Sequence, residues 1–531
     1  MYDYIIVGSG PAGCVLANRL TEDSDASVLL LEAGGSDRRL IVQMPAAVPF
    51  AYMRKDLGWG YQAGPEPHLG GRCIDEKRGR VLGGSSSINA MIFNRGNPQD
   101  FDGWAKLGLP SWSWSRCLPY FERMETYADS PSEWRGSSGP LKVSRCRADF
   151  PIYDDFLRAG EHAGFTVTPD HNGRAQEGLH IAQAYIGDGV RSSAANAYLR
   201  PVWDRANLHV RTAVHVTRVL MDGERAVGVE VGSRGGIERI ECNREVILAA
   251  GAFGSPQLLM LSGIGDPDTL RQHGIEVNLP LRDVGEHLEN HPGVNLQFTT
   301  DAKHSLMSRL GPVGKARLGL EWLLLRRGLG TTNFFEAGAF LRTNPNVAYA
   351  NLQLEFLPLV RYLEAGKLKA RAGFNFWIDL SRPASRGRVQ LRSANPHDAP
   401  SIVFNHLADP SDLRDLVDGV RLTREIVAQA PLGTKCKAEF APGAAVNSDA
   451  ALEAWVAQNV GTSYHPSGTC RMGTGADSVV DAAGRVHGAT ALRVVDASIM
   501  PRTVTANISA TVYMLAEKIS DEIRGKSPLA A

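Results

Sequence analysis

A short apolar run, Tyr4 to Val7, leads into Gly8, Gly10 and Gly13 in G-x-G-x-x-G spacing. A stretch of helical periodicity follows over 11–20, then a second apolar run, Val28 to Leu31, tipped by Glu32. No other feature constrains the fold as strongly, because each part fixes the next. The first glycine permits a tight turn, the second lets backbone approach a pyrophosphate, and the third lets helix pack on strand. The helix N-terminus offers free N–H groups to the phosphates. Glu32 lies 19 residues beyond Gly13, where a carboxylate accepts hydrogen bonds from a ribose. Strand, helix and strand in so short a span predict a parallel sheet, hence an α/β architecture. The fingerprint suits any adenine dinucleotide and does not separate FAD from NAD. No second strand-G-x-G-x-x-G unit follows, which argues against two dinucleotides held in separate units of this kind.

The rest of the chain narrows the class by exclusion. At 531 residues more than one structural unit is expected. Basic and acidic residues number 57 each, so charge points to neither nucleic acid nor an acidic surface. Seven cysteines are scattered without C-x-x-C spacing, and no metal is expected. They read as reduced thiols, with a cytoplasmic location. No leader pattern and no long apolar run occurs, so neither export nor a membrane span is expected. Leu318 to Leu325, flanked by Arg317, Arg326 and Arg327, reads first as a buried helix face. Its alternative is peripheral contact with the inner membrane. Residues 36–100 are rich in Gly, Pro and Ser, and an aperiodic region of that length is usually functional. Strand patterns dominate 207–250, the last running into a helix that opens at Pro256. From about 295 to 460 strands alternate with helical stretches. A strand near 492 and a closing helix over 511–524 follow.

Residues 79–95 read GRVLGGSSSINAMIFNR and 251–265 read GAFGSPQLLMLSGIG. With WGYQAGPEP at 59–67, VGEHLENHPG at 284–293, SYHPSGTCRMG at 463–473 and LRVVDASIMP at 492–501, the whole chain resembles the glucose–methanol–choline (GMC) oxidoreductases. Its flavour is closest to the bacterial choline- and sorbose-oxidising members. The resemblance implies FAD and a two-part fold: a Rossmann-like FAD-binding domain, and a substrate domain with an antiparallel sheet flanked by helices. The first takes 1–155, 190–290 and 460–531; the second takes 156–189 and 291–459. It implies that Gly8, Gly10, Pro11, Ala12, Gly13, Glu32 and Ala33 hold the adenosine half, with Val216 meeting the adenine. Gly83, Gly84, Ser85, Asn89 and Met91 would line the pyrophosphate and flavin. Asp496 and Ala497 would sit at the ribitol, with Tyr464, Asn507 and Ser509 near the flavin ring. Members that attach FAD covalently do so through a His where this chain has Ile88, so non-covalent FAD is expected.

By the same resemblance, His465 and Asn507 face the flavin N5. A neutral imidazole suits removal of a hydroxyl proton, and an amide can fix the substrate oxygen. Two positions bear on substrate, with Tyr464 beside them. Choline-oxidising relatives carry a carboxylate near the spot where Gly293 stands here, and many relatives carry His where Glu355 stands. Strand alternation alone does not fix which face Glu355 takes. The implied activity is oxidation of a primary alcohol or polyol to aldehyde or ketone, with a quinone or similar acceptor. The alternatives are choline dehydrogenation, an O2-using alcohol oxidase and a non-catalytic flavoprotein.

Overall fold

The structure is a computed structural model; it describes all residues except 24, 128, 130, 131, 234, 235, 365, 366 and 531. Two sheets organise it. In the first, the strands Tyr2–Val7 and Val28–Glu32 run parallel, Tyr4 opposite Val28 and Val7 opposite Leu31. Residues 4–7 and 28–32 are buried throughout, which explains unbroken apolar runs in place of alternation. Between them lies the helix Pro11–Leu20, with proline in its first turn. A Cβ on Gly13 would stand 1.9 Å from the Gly8 carbonyl oxygen, so only glycine allows this helix to pack so close to the turn.

The strand Leu208–Thr212 joins the outer side of Val28–Glu32, and Gly236–Leu248 joins the other side of Tyr2–Val7. Leu492–Val494 then pairs with Val246–Leu248. Distant stretches of chain therefore meet in one parallel layer, extended by the antiparallel strands Arg225–Ser233 and His215–Asp222. The helix Ser509–Ile523 packs on Pro11–Leu20. There the buried Glu517 accepts from Arg19 at 2.9 and 2.8 Å and from the Tyr198 hydroxyl at 2.7 Å.

The second sheet is antiparallel, in the order Ala438–Ala441, Pro292–Thr299, Gly373–Leu380, Leu352–Leu357, Ala337–Leu341 and Gly178–Ile181. Its alternation is nearly complete. Val294, Leu296, Phe374, Phe376, Ile378, Leu352, Leu354 and Phe356 form one core, against which the helices Pro410–Ala428 and Pro151–His162 pack. The opposite face is polar. Asp379 stands across from Gly293 and Gln353, and Trp377 stands across from Asn295 and Glu355. This register settles the face of Glu355: it shares the side of Asn295 and Asn375, which turns toward the cavity described below.

Two sequence expectations are corrected. The helix expected to open at Pro256 begins at Gly251 and runs to Leu261 with the proline inside it. Proline cannot donate to the carbonyl four residues back, and the Thr469 hydroxyl donates to that Ala252 oxygen instead, at 2.7 Å. The segment Leu318–Leu325 is not a buried helix face. It belongs to the helix Pro312–Leu325, in which Trp322 alone is buried. Both readings share one periodicity, so the pattern could not tell an apolar stripe turned inward from one turned outward.

Candidate active site

The glycine turn is tightened from both sides. Gly8 has φ +102°, and a Cβ there would lie 2.5 Å from the Ala249 carbonyl oxygen. Gly10, by contrast, faces open space, with no atom within 4 Å of where its Cβ would be. Gly84, at φ +55°, packs against it: a Cβ on Gly84 would sit 2.7 Å from the Gly10 Cα. The two glycine loops thus touch, although 74 positions separate Gly10 from Gly84. Ser9 binds them further. Its hydroxyl donates to Glu32 at 2.6 Å and accepts from the Gly83 amide at 3.3 Å. Glu32 also accepts from the Ser9 and Gly34 amides at 3.0 and 2.7 Å, while burial pushes its carboxyl up.

A buried cation holds the second loop. Arg191 donates to the carbonyls of Val42, Ser86 and Asn89 and to Asn89 Oδ1, at 2.7–3.1 Å. Loss of water, with no ion-pair partner among the described residues, pulls its guanidinium down to about 10. Asn89 Oδ1 also receives the Met91 amide at 3.1 Å, and Met91 takes a left-handed φ of +63°. Nothing in the local text of Ser9 or Arg191 marks these roles, because both act across loops far apart in the chain.

Both loops open onto one cavity of about 680 Å³. Its wall includes Gly8, Gly10, Pro11, Ala12, Glu32, Ala33, Gly84, Ser85, Asn89, Met91 and Val216 at one end. Tyr464, His465, Asp496, Ala497, Asn507, Ser509 and Glu355 belong to the same wall. Gly13 and Gly83 lie behind it, one within the helix against the Gly8 carbonyl and the other against Ala195. Asp496 accepts from the Gly251 amide at 2.8 Å, the Ser255 hydroxyl at 2.5 Å and the Ser498 amide at 2.8 Å. Ser509 contributes a buried hydroxyl beside that of Tyr185. Open glycine backbone beside a helix N-terminus, followed by polar groups along a long cavity, fits a flavin dinucleotide.

At the far end the polar groups interlock. Tyr464, at φ +63°, turns the chain into His465. The His465 amide is pinned to Asn290 Oδ1 at 2.8 Å, and the Tyr464 amide to Thr462 Oγ1 at 2.9 Å. His465 Nε2 meets Asn507 Nδ2 at 3.2 Å, and His465 Nδ1 meets His291 Nδ1 at 2.9 Å. His291 Nε2 contacts the Thr503 hydroxyl at 3.1 Å. Asn507 Nδ2 also donates to Glu355 Oε1 at 3.1 Å, and Asn507 Oδ1 accepts from Gln353 at 2.8 Å.

Burial dominates the charges here. It drives His465 well below the usual imidazole range, helped by neighbouring His291 and Arg78, and takes His291 to about 3. Glu355 is raised to about 7 by burial, against the hydrogen bond from Asn507. Asp379 is raised by burial and by Glu355. His291, Asp379 and His465 place ligand-type atoms within 4.8 Å of one another, but the two imidazoles spend their facing nitrogens on each other. Position 293 is closed to any side chain. A Cβ there would fall 2.7 Å from Trp377 Cε2 and Cζ2, and the indole is held by donation to Ser463 Oγ at 2.8 Å.

GMC oxidoreductase family profiles match residues 2–293 and 383–516. The chain is 42% identical to an oxygen-dependent choline dehydrogenase of Photobacterium profundum, covering 100% of this chain and 94% of that one. It is 44% identical to another of Staphylococcus haemolyticus, covering 99% and 94%. Among solved structures, pyridoxine 4-oxidase from Mesorbium loti is 30% identical with a TM-score of 0.89, covering 99% and 100%. A variant of Aspergillus oryzae formate oxidase, studied for its FAD modification, is 26% identical with a TM-score of 0.92, covering 99% and 98%. The chain belongs to the GMC oxidoreductases and is an FAD-dependent enzyme of alcohol oxidation, acting on CH–OH groups.

Proposed function

We propose that the chain oxidises a primary alcohol or polyol to the aldehyde or ketone, with His465 as the base and Asn507 as the group that holds the substrate oxygen. The observation that carries this reading is the 3.2 Å approach of His465 Nε2 to Asn507 Nδ2 in the cavity wall. Bound FAD supplies hydride-accepting chemistry. The chain's own residues do the rest. The substrate hydroxyl enters between the two groups, accepts from Asn507 Nδ2 and gives its proton to His465 Nε2. The depressed basicity of His465 keeps that nitrogen unprotonated at neutral pH.

In the same proposal Gly8, Gly10, Pro11, Ala12, Gly13, Glu32, Ala33 and Val216 serve the adenosine half. Gly83, Gly84, Ser85, Asn89 and Met91 serve the pyrophosphate and flavin, and Asp496 and Ala497 the ribitol. Tyr464, Asn507 and Ser509 serve the flavin ring. The FAD part spans 1–155, 190–290 and 460–531; the substrate part spans 156–189 and 291–459. Ile88, an apolar buried side chain, offers no nucleophile, so FAD is held without a covalent link. Electrons leave to a quinone or similar acceptor, with O2 as the alternative.

A second reading, oxidation of a cationic alcohol such as choline, is favoured by Glu355. Among the described residues its carboxylate has no ion-pair partner, and it stands across the strands from Trp377. A carboxylate and an aromatic side chain on one face of a sheet suit a cationic substrate. Stopped-flow reduction of the flavin without oxygen, against choline, sorbose, aliphatic and aryl alcohols, selects the substrate; repetition in air separates oxidase from dehydrogenase. His465→Ala keeps FAD and loses flavin reduction, and an unchanged reduction rate overturns the base.

A further inference from the structure

The helix Pro312–Leu325 is fastened by one residue. Trp322 is buried, donates to the Gly189 carbonyl at 2.7 Å and carries the Arg326 guanidinium 3.8 Å above its ring. The other large apolar residues of its outer surface face outward: Val313 is 83% exposed, Leu320 58%, Leu323 49%, Leu324 67% and Leu325 53%. Val313, Leu320 and Leu324 recur at i, i+7 and i+11, with Leu323 beside them, on the side opposite Trp322. An exposed apolar stripe of this length marks a contact surface.

The charges on and beside the helix are mostly basic. Arg317 shares the side of the stripe, three positions before Leu320, and Arg309 and Arg327 flank the helix, while Lys315 and Arg326 lie on the Trp322 side; Glu321 is the one acid between Arg309 and Arg327 in the sequence, paired to Arg317 at 2.8 Å. The chain as a whole has equal numbers of basic and acidic residues, so this excess is local. Behind the stripe, the Trp322 side of the helix connects to the cavity wall. Met44 and Trp322 both pack against Gly330, and the chain after Met44 forms the helix Val48–Met53. That helix exposes Phe50 and Met53 and lines the cavity through Val48, Pro49, Tyr52 and Met53.

We propose that this face docks on an anionic lipid bilayer, with the leucines in the headgroup–acyl boundary, the basic side chains on the headgroups and the cavity mouth beside the membrane. A helix with outward leucines and a basic rim suits that surface. Long basic side chains can lay their stems on the apolar layer and keep their charges at the headgroups. A second copy of the chain fits less well, because a two-fold contact sets the same basic rim against itself.

The test is sedimentation of the FAD-loaded enzyme with unilamellar vesicles of phosphatidylglycerol or of phosphatidylcholine. The enzyme pellets with phosphatidylglycerol, less with phosphatidylcholine, and added salt weakens the first. Leu320→Glu with Leu324→Glu lowers partitioning by about tenfold or more and leaves turnover with a soluble dye unchanged. Arg317→Glu with Arg327→Glu lowers binding to phosphatidylglycerol alone, without touching the leucines. Enzyme left in the supernatant with both lipids overturns the proposal. So does equal partitioning of the wild-type and leucine variants, or a dimer in solution that the leucine variant dissociates.

Discussion

The side-chain amide of Asn94 donates to Oδ1 of Asn507 across 2.6 Å. Gln353 donates to the same oxygen, so the Asn507 amide can stand only one way round, with Nδ2 toward His465 and Glu355. His465 Nε2 must then accept, which leaves its proton on Nδ1, donated to His291 Nδ1. His291 in turn carries its proton on Nε2, facing the Thr503 hydroxyl. The Asn172 side-chain amide beside His171 Nε2 spends its hydrogens on the Phe93 carbonyl and Gln183 Oε1, so His171 Nε2 donates to Asn94 Oδ1 at 2.8 Å and sets the sense of this chain. An imidazole nitrogen free of a proton is thus held in the cavity wall by Asn94, Gln353 and His291.

Asn94→Asp replaces the donor by an acceptor and turns the Asn507 amide round, which places an oxygen against His465 Nε2. Turnover falls roughly 100-fold or more, the scale of a lost general base. Asn94→Ala, which leaves the Gln353 donor in place, costs about tenfold or less on the same scale. Steady-state kcat of the two variants, each checked for full flavin loading, is the measurement. An alanine variant as slow as the aspartate one contradicts the orientation argument.

Gly84→Ala sets a methyl 2.7 Å from the Gly10 Cα and asks alanine to hold φ +55°. The left-handed backbone alone costs about 1–2 kcal/mol, and the clash falls on backbone that cannot rotate away. The variant purifies with little FAD, read as the ratio of flavin absorbance to protein. Gly103→Ala, at a position with open space around it, retains full loading.

Much of the nucleotide end was legible in the sequence because its determinants are local. Turn, helix start and acid occur within Gly8 to Glu32, and each demands a residue type at a fixed offset. The closing network was not legible for the opposite reason. Asn94, His171, His291 and Gln353 are ordinary polar residues until four separate segments bring them around Asn507. The face of Glu355 needed the register between Leu352–Leu357 and Gly373–Leu380, which is a property of two strands together. The outward leucines of 318–325 defeated periodicity, which reports a stripe without reporting what lies against it.

Thr469→Val removes the hydroxyl that serves the Ala252 carbonyl, the acceptor Pro256 leaves without its helical donor. Shape is kept and a buried oxygen loses its partner, so the variant loses about 1–3 kcal/mol of stability. The midpoint of urea unfolding, followed on the FAD-loaded enzyme, shows the loss. An unchanged midpoint means that the freed carbonyl finds another donor.

Glu355 gives the substrate question a pH signature. Its carboxyl, ordinarily near 4.5, is raised to about 7 in the fold. The folded state therefore holds a proton there that the unfolded chain releases, and the associated stability, full below 4.5, is lost as pH rises through about 7. For catalysis the sign reverses when the substrate is cationic, because only the ionised carboxylate attracts it. With choline, kcat/KM climbs as pH rises through about 7, and Glu355→Gln removes the climb and lowers the plateau by about tenfold or more. The neutral carbon isostere of choline shows no such rise in either enzyme. His465 adds no step in this window, since burial keeps it neutral throughout. Buried Glu76 and Glu289 are also raised to about 7, and the glutamine variant separates Glu355 from both. Identical profiles for choline and its isostere leave Glu355 with hydroxyls as partners, which is the polyol reading.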